Sequence, residues 1–229
     1  ETQESSPLEL RLMEGQIKSK AISLTYGTIM RNTQGNLERL RAHWEREIGE
    51  MEDSDWQEAL SFPMQAAIKA SYTLIQLKIL HRTYYTRTLL KKIGKTKDAG
   101  CLSGCGMEGT LIHTHWHCQK IMDFWEKVTD RLKEAVGVHF EGPLKTAILG
   151  IWDPTDLTRH QKILVNMGFM NAKRDIAQKW GSEVTPRLSE WEAGMDKCMT
   201  LEREIYEGRG CPRKFEKIWG GCNVQHTEK

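Results

Sequence analysis

Residues 101–137 read CLSGCGMEGTLIHTHWHCQKIMDFWEKVTDRLKEAVG, and the stretch changes character at its middle. The first half carries the spacing Cys-x3-Cys-x7-His-x4-Cys at Cys101, Cys105, His113 and Cys118. Gly100, Gly104, Gly106 and Gly109 make a regular helix untenable there and supply the tight turns that bring two nearby thiolates to one ion. Zinc takes four thiolate and imidazole donors in a tetrahedron, so the spacing predicts one structural zinc ion in a small knuckle. Spacing favours His113 as the imidazole ligand, with His115 and His117 as alternatives. From Cys118 onward, Ile121, Phe124, Trp125, Val128 and Leu132 recur at helical intervals up to Gly137, which predicts an amphipathic helix leaving the knuckle.

Helical spacing also dominates on both sides. The pattern predicts helices over 17–30, through Leu37, Leu40, Trp44 and Ile48, and from an Asp53 or Ser54 cap through Trp56 and Leu60. After Pro63 one long helix is predicted, with Ile68, Tyr72, Ile75 and Ile79 on a face and Gly94 as its stop. The apolar piece from Leu144 to Trp152 suits either a brief helix or an extended segment. Ile163, Met167, Met170 and Ala177 share a face between Asp156 and Trp180. Thr185 and Pro186 have the chemistry of a helix start. The seam Leu188, Trp191, Met195, Cys198 and Ile205, interrupted by Glu202, then predicts an antiparallel hairpin with the helix before it. The expected fold is mainly α: a helical connecting region with a basic last helix over 1–93, the zinc knuckle and its following helix over 94–137, and a C-terminal helical region over 138–229.

Composition excludes several classes. With 33 Lys and Arg against 31 Asp and Glu, the net charge of +2 gives no whole-chain argument for a polyanionic partner, so any basic surface must be local. No run approaches the roughly 20 apolar residues of a membrane span, and no membrane partner is expected. The polar, acidic start lacks a secretory pattern. Absence of an initiating methionine predicts a segment cut from a longer polypeptide, with a processed product as the alternative. Six cysteines are too few for a disulfide scaffold, which fits a reducing intracellular compartment, nucleus and cytoplasm. Cys198, Cys211, Cys222 and His226 are irregularly spaced and do not predict a second ion.

Charge is most polarised before the knuckle. No acidic residue occurs between Glu58 and Asp98, whereas Lys69, Lys78, Arg82, Arg87, Lys91, Lys92, Lys95 and Lys97 all fall there. On one long helix, Lys78 with Arg82 and Arg87 with Lys91 form basic pairs a turn apart, with Tyr84 and Tyr85 interleaved as rings for stacking on unpaired bases. Lys78, Arg82, Tyr84, Tyr85, Arg87, Lys91, Lys92 and Lys95 are the candidate nucleic-acid contacts. The structural alternative is a solvated basic face with core tyrosines. No paired aspartates of the Tyr/Phe-x-Asp-Asp kind occur, and His81, Glu108 and Asp153 have no spacing that makes a catalytic constellation.

The segment IQLKILHRTYYTRTLLKKIG, the knuckle, the FWEKV helix and the AILGI string together resemble the C-terminal region of vertebrate LINE-type retrotransposon reverse transcriptases. LRAHWEREIGEMEDSDWQEAL upstream and AKRDIAQKW downstream are similar to the flanking parts of that family, so the resemblance covers nearly the whole chain. It implies a non-catalytic region that follows polymerase and endonuclease domains on the same polypeptide. Such a region binds RNA, with DNA as the alternative, in support of target-primed reverse transcription, with Cys101, Cys105, His113 and Cys118 on the family's zinc-ligand motif. An expectation of another class is a host-adopted helical module that binds protein through the seam from Leu188 to Ile205.

Overall fold

The computed structural model describes residues 35–65, 69–179, 182 and 184–220; the helix expected over 17–30 lies outside them. The protein is mainly α, and the described residues contain no strand. The chain divides into two compact units, residues 1–50 and 51–229. In the first, α1 (Gly35–Ile48) carries an Arg41–Glu45 pair one turn apart at 2.9 Å and buries Trp44 completely.

The second unit begins with α2 (Asp53–Gln65), whose buried face is Trp56, Ala59 and Phe62. Pro63 lies inside this helix. The expected long helix after Pro63 is instead two helices, α3 (Ala70–Leu80) and α4 (Arg87–Lys92). The break has two local causes. Arg82 takes φ 56°, the only positive φ of a non-glycine among the described residues, and Thr86 caps α4 by accepting from the Leu89 amide at 3.2 Å. Lys78 and Arg82 therefore do not lie on one helical face.

Beyond the glycine-rich segment, α5 (Gln119–Val136) buries Ile121, Phe124, Trp125, Val128, Leu132 and Ala135 and ends at Gly137, as the spacing predicts. The undecided 144–152 piece is a short helix, α6 (Leu144–Leu149). It stops at Gly150, where φ is 76° and an added Cβ would sit 2.5 Å from the Phe62 ring, so both conformation and contact require glycine.

Helix α7 (Arg159–Gln178) opens with a Thr158–Gln161 capping box and runs through the middle of the unit. Its central stretch is buried nearly all round, not on one face, and includes Asn171, Lys173 and Asp175. Helix α8 (Leu188–Gly208) returns antiparallel to α7, fastened by Trp191 Nε1 donating to the Gly168 carbonyl at 2.8 Å and by Lys179–Glu190 at 3.0 Å. The seam residues Trp191, Met195 and Cys198 are buried, and so is the interrupting Glu202, which accepts from Trp219 Nε1 of α9 (Pro212–Trp219) at 2.9 Å.

The buried polar groups of α7 bind distant segments. Asn171 accepts from the Tyr72 hydroxyl at 2.8 Å and donates to the Trp191 carbonyl at 2.6 Å. Lys173 Nζ donates to Gln76 Oε1 at 2.6 Å and to the Ile148 carbonyl at 3.3 Å, with no carboxylate in ion-pair range among the described residues. Burial lowers the Lys173 pKa well below its ordinary 10.5. Over the alkaline window between the lowered value and 10.5 the folded state binds fewer protons than the unfolded, so Lys173 makes stability rise with pH. Urea titrations at neutral and alkaline pH are expected to show wild type gaining stability relative to Lys173→Met. A pH-independent difference would refute this.

Candidate metal centre

Cys101, Cys105, His113 and Cys118 converge: their ligand atoms all lie within 4.8 Å of one another. Cys101 Sγ is 3.9 Å from Cys118 Sγ, and Cys105 Sγ is 3.2 Å from His113 Nε2. A tetrahedral zinc with Zn–S bonds of about 2.3 Å has S···S edges of about 3.8 Å, so the sulfur pair already stands at that edge, far from the roughly 2.05 Å of a disulfide. The cluster is compatible with one zinc ion. Four protein donors complete a tetrahedron and leave no position for a reacting water.

Local backbone explains the convergence. Gly104 and Gly106 have φ of 67° and 82°, and the Cys101 amide donates to the Met107 carbonyl at 2.7 Å, folding the first Cys pair round a tight loop. An isolated antiparallel bridge between Gly100 and Glu108 closes its base. The second pair comes from a π-helical turn, His113–His117. In this turn the Cys118 amide donates to the His113 carbonyl at 2.8 Å, so residues five apart stack on one side.

The same turn separates the three histidines. His113, only 8% exposed, faces the cysteines; His115 is fully buried with Nδ1 at 3.1 Å from the Leu111 carbonyl; His117 is exposed. Burial, and secondarily the nearby His117, lower the His113 pKa. At Cys105, burial works upward but is outweighed by hydrogen bonds from the Met107 backbone and the Cys101 and Cys118 thiols, so its pKa is lowered. At Cys101 burial prevails over the Ser103 hydrogen bonds and raises it. A neutral imidazole and an acidified thiol are the forms that take up a metal.

The candidate nucleic-acid residues are not a single stripe. Lys78 is exposed near the end of α3, Arg82 occupies the elbow, and Arg87, Lys91 and Lys92 belong to α4 with Lys95 just beyond. The Tyr84 ring packs 5.2 Å from that of His115, and burial pushes its pKa up to about 12, whereas Tyr85 is 67% exposed. Helix α4 is tied to the cysteine-bearing loop: the Thr88 amide and hydroxyl donate to the Gly109 carbonyl at 3.3 and 3.1 Å, and Arg87 donates to Thr96 Oγ1 at 3.3 Å. The π-helical turn that follows this loop is in turn joined to the core by Trp125, whose Nε1 donates to the His115 carbonyl at 2.7 Å. Thr86, the cap that starts α4, is a functional position the periodicity did not reveal, although its residue type was a legible helix-start signal.

Cys198 sits in the core beside the Tyr72 hydroxyl at 3.2 Å and Cys211 is exposed, so these two do not form part of a cluster; Cys222 and His226 lie outside the described residues. No described helix is long and apolar enough to cross a membrane. The sequence matches no known protein-family model.

Proposed function

We propose that the chain is a non-catalytic, zinc-dependent RNA-binding module of a LINE-type reverse transcriptase, acting beside polymerase and endonuclease domains in target-primed reverse transcription. One zinc ion on Cys101, Cys105, His113 and Cys118 serves as scaffold. The observation that carries the reading is the docking of α4 on the knuckle: Thr88 is bonded to Gly109, while Lys91, Lys92 and Lys95 remain exposed in a stretch without acidic residues. A cation cluster held at a fixed angle by a metal-ordered loop suits phosphate contact, and exposed Tyr85 adds a ring of the kind that stacks on unpaired bases. Trp191, Met195 and Cys198 of the α8 seam are buried in the core and Leu188 and Ile205 are half-buried, which weighs against a protein-binding role for it.

The test is the salt dependence of binding to single-stranded RNA by the triple variant Lys91→Ala, Lys92→Ala, Lys95→Ala. Each lost phosphate contact is expected to reduce the slope of log K against log salt by about 0.7. The variant should therefore show a slope lower by about 2, with affinity reduced at least about tenfold at low salt and an unchanged melting curve. Unaltered affinity and slope would remove the basic segment from the reading.

A further inference from the structure

A cleft of about 780 Å³ opens between α2, α7 and the corner where α8 turns into α9. Phe62, Met64, Trp152 and Met167 contribute apolar walls, and Arg159, Lys162, Arg209 and Lys214 stand around it. Its two carboxylates are engaged by the protein. Glu202 accepts from Trp219 Nε1 at 2.9 Å and Glu58 from the Trp152 backbone amide; burial raises both carboxyls above their ordinary range, while the nearby charges of Lys162 on Glu58 and Lys214 on Glu202 act in the opposite sense. Among the described residues no carboxylate lies in ion-pair range of any of the four cations. Two of them rest on rings: Lys162 Nζ lies 5.5 Å from the Trp152 centroid and Lys214 Nζ 5.5 Å from that of Tyr206. The cleft thus sets four cations against two carboxylates, none of them in ion-pair contact, beside an aromatic and thioether wall.

We infer that this cleft holds a nucleotide unit of single-stranded RNA, its phosphates on Arg159, Lys162, Arg209 and Lys214 and its base against Trp152 and Met64. The inference rests on the RNA-binding reading above and adds a site remote from α4. Ala70, at the start of α3, lines the cleft, and α4 follows the other end, so the length of α3, about 16 Å, separates them. A strand fits better than a free nucleotide. Sites for free polyphosphates use clustered backbone amides of glycine-rich turns, whereas the one glycine on this lining, Gly150, already donates its amide to the Thr146 carbonyl at 2.9 Å. An acidic peptide would match the cations but offers no flat ring for the wall.

The experiment uses the full zinc-loaded chain and a 5-iodouridine-substituted single-stranded RNA of about 20 nucleotides, longer than common single-strand footprints. Photocrosslinks are mapped by mass spectrometry, and affinity is measured for wild type and for Arg209→Glu with Lys214→Glu, two exposed positions. Crosslinks on Trp152 or Tyr206 and an affinity loss of about tenfold with a flatter salt slope are expected. Crosslinks confined to residues 78–95, with the double variant binding as wild type, overturn the cleft and leave the basic segment standing. Loss of the cleft crosslinks to competing uridine monophosphate or ATP at micromolar levels reassigns it to a free nucleotide. Equal loss to polyglutamate makes its occupant an acidic chain. Absence of RNA binding by wild type overturns both readings.

Discussion

Cys118→Ser is expected to lose one equivalent of zinc per chain and to lower the melting temperature by at least about 10 °C. Cys118 is 1% exposed, stands at a tetrahedral edge from Cys101, and also starts α5, so its loss removes a ligand and frees the turn that leads into the core. Structural zinc is worth on the order of 10 kcal/mol in small peptides, comparable with the stability of a domain. The histidines divide sharply in the same measurement. His113→Ala should release the ion, whereas His117→Ala, at an exposed position, should retain a full equivalent. Zinc content after dialysis against a weak chelator and thermal melting by circular dichroism decide this. Full retention by Cys118→Ser, or loss from His117→Ala with retention by His113→Ala, would overturn the ligand set.

Trp125→Ala should cost about 3–5 kcal/mol, because the indole is 4% exposed and its removal leaves a cavity beside Trp116, Phe124 and Phe169. It also strips the His115 carbonyl of the donor that ties the knuckle to α5. Trp125→Phe keeps much of the volume and removes that donor, and so should cost about 1–3 kcal/mol while weakening zinc retention. Urea titration gives the two values. A cost under about 1 kcal/mol for the alanine variant would mean that the indole is not the junction described.

Those two sites were unevenly legible. The Cys and His spacing and its glycines are readable because the cluster is local: its donors, turns and following helix lie within one short window. Local spacing also gave the apolar face of α5. The break in the basic segment is not legible because periodicity continues through residues 68–79 and charge continues to 95, whereas the break depends on Arg82 in a conformation that residue type does not advertise. Pro63 has the chemistry of a boundary, yet it lies inside α2 near its end, where Phe62 beside it packs against Gly150. Helix α7 was harder still. Asn171 and Lys173 look like solvent positions until Tyr72, Gln76 and the Ile148 carbonyl are brought to them from segments remote in sequence. Polar residues whose partners lie far along the chain cannot be separated from surface residues by periodicity.

The π-helical turn at His113–His117 faces two ways: the cysteine and histidine cluster at His113 and Cys118, and the core at His115. Mutational drift can alter the residues between these points, but adding or deleting one would rotate either the ligands or the buried ring out of place. Over evolutionary time this segment is thus constrained in length more tightly than in composition.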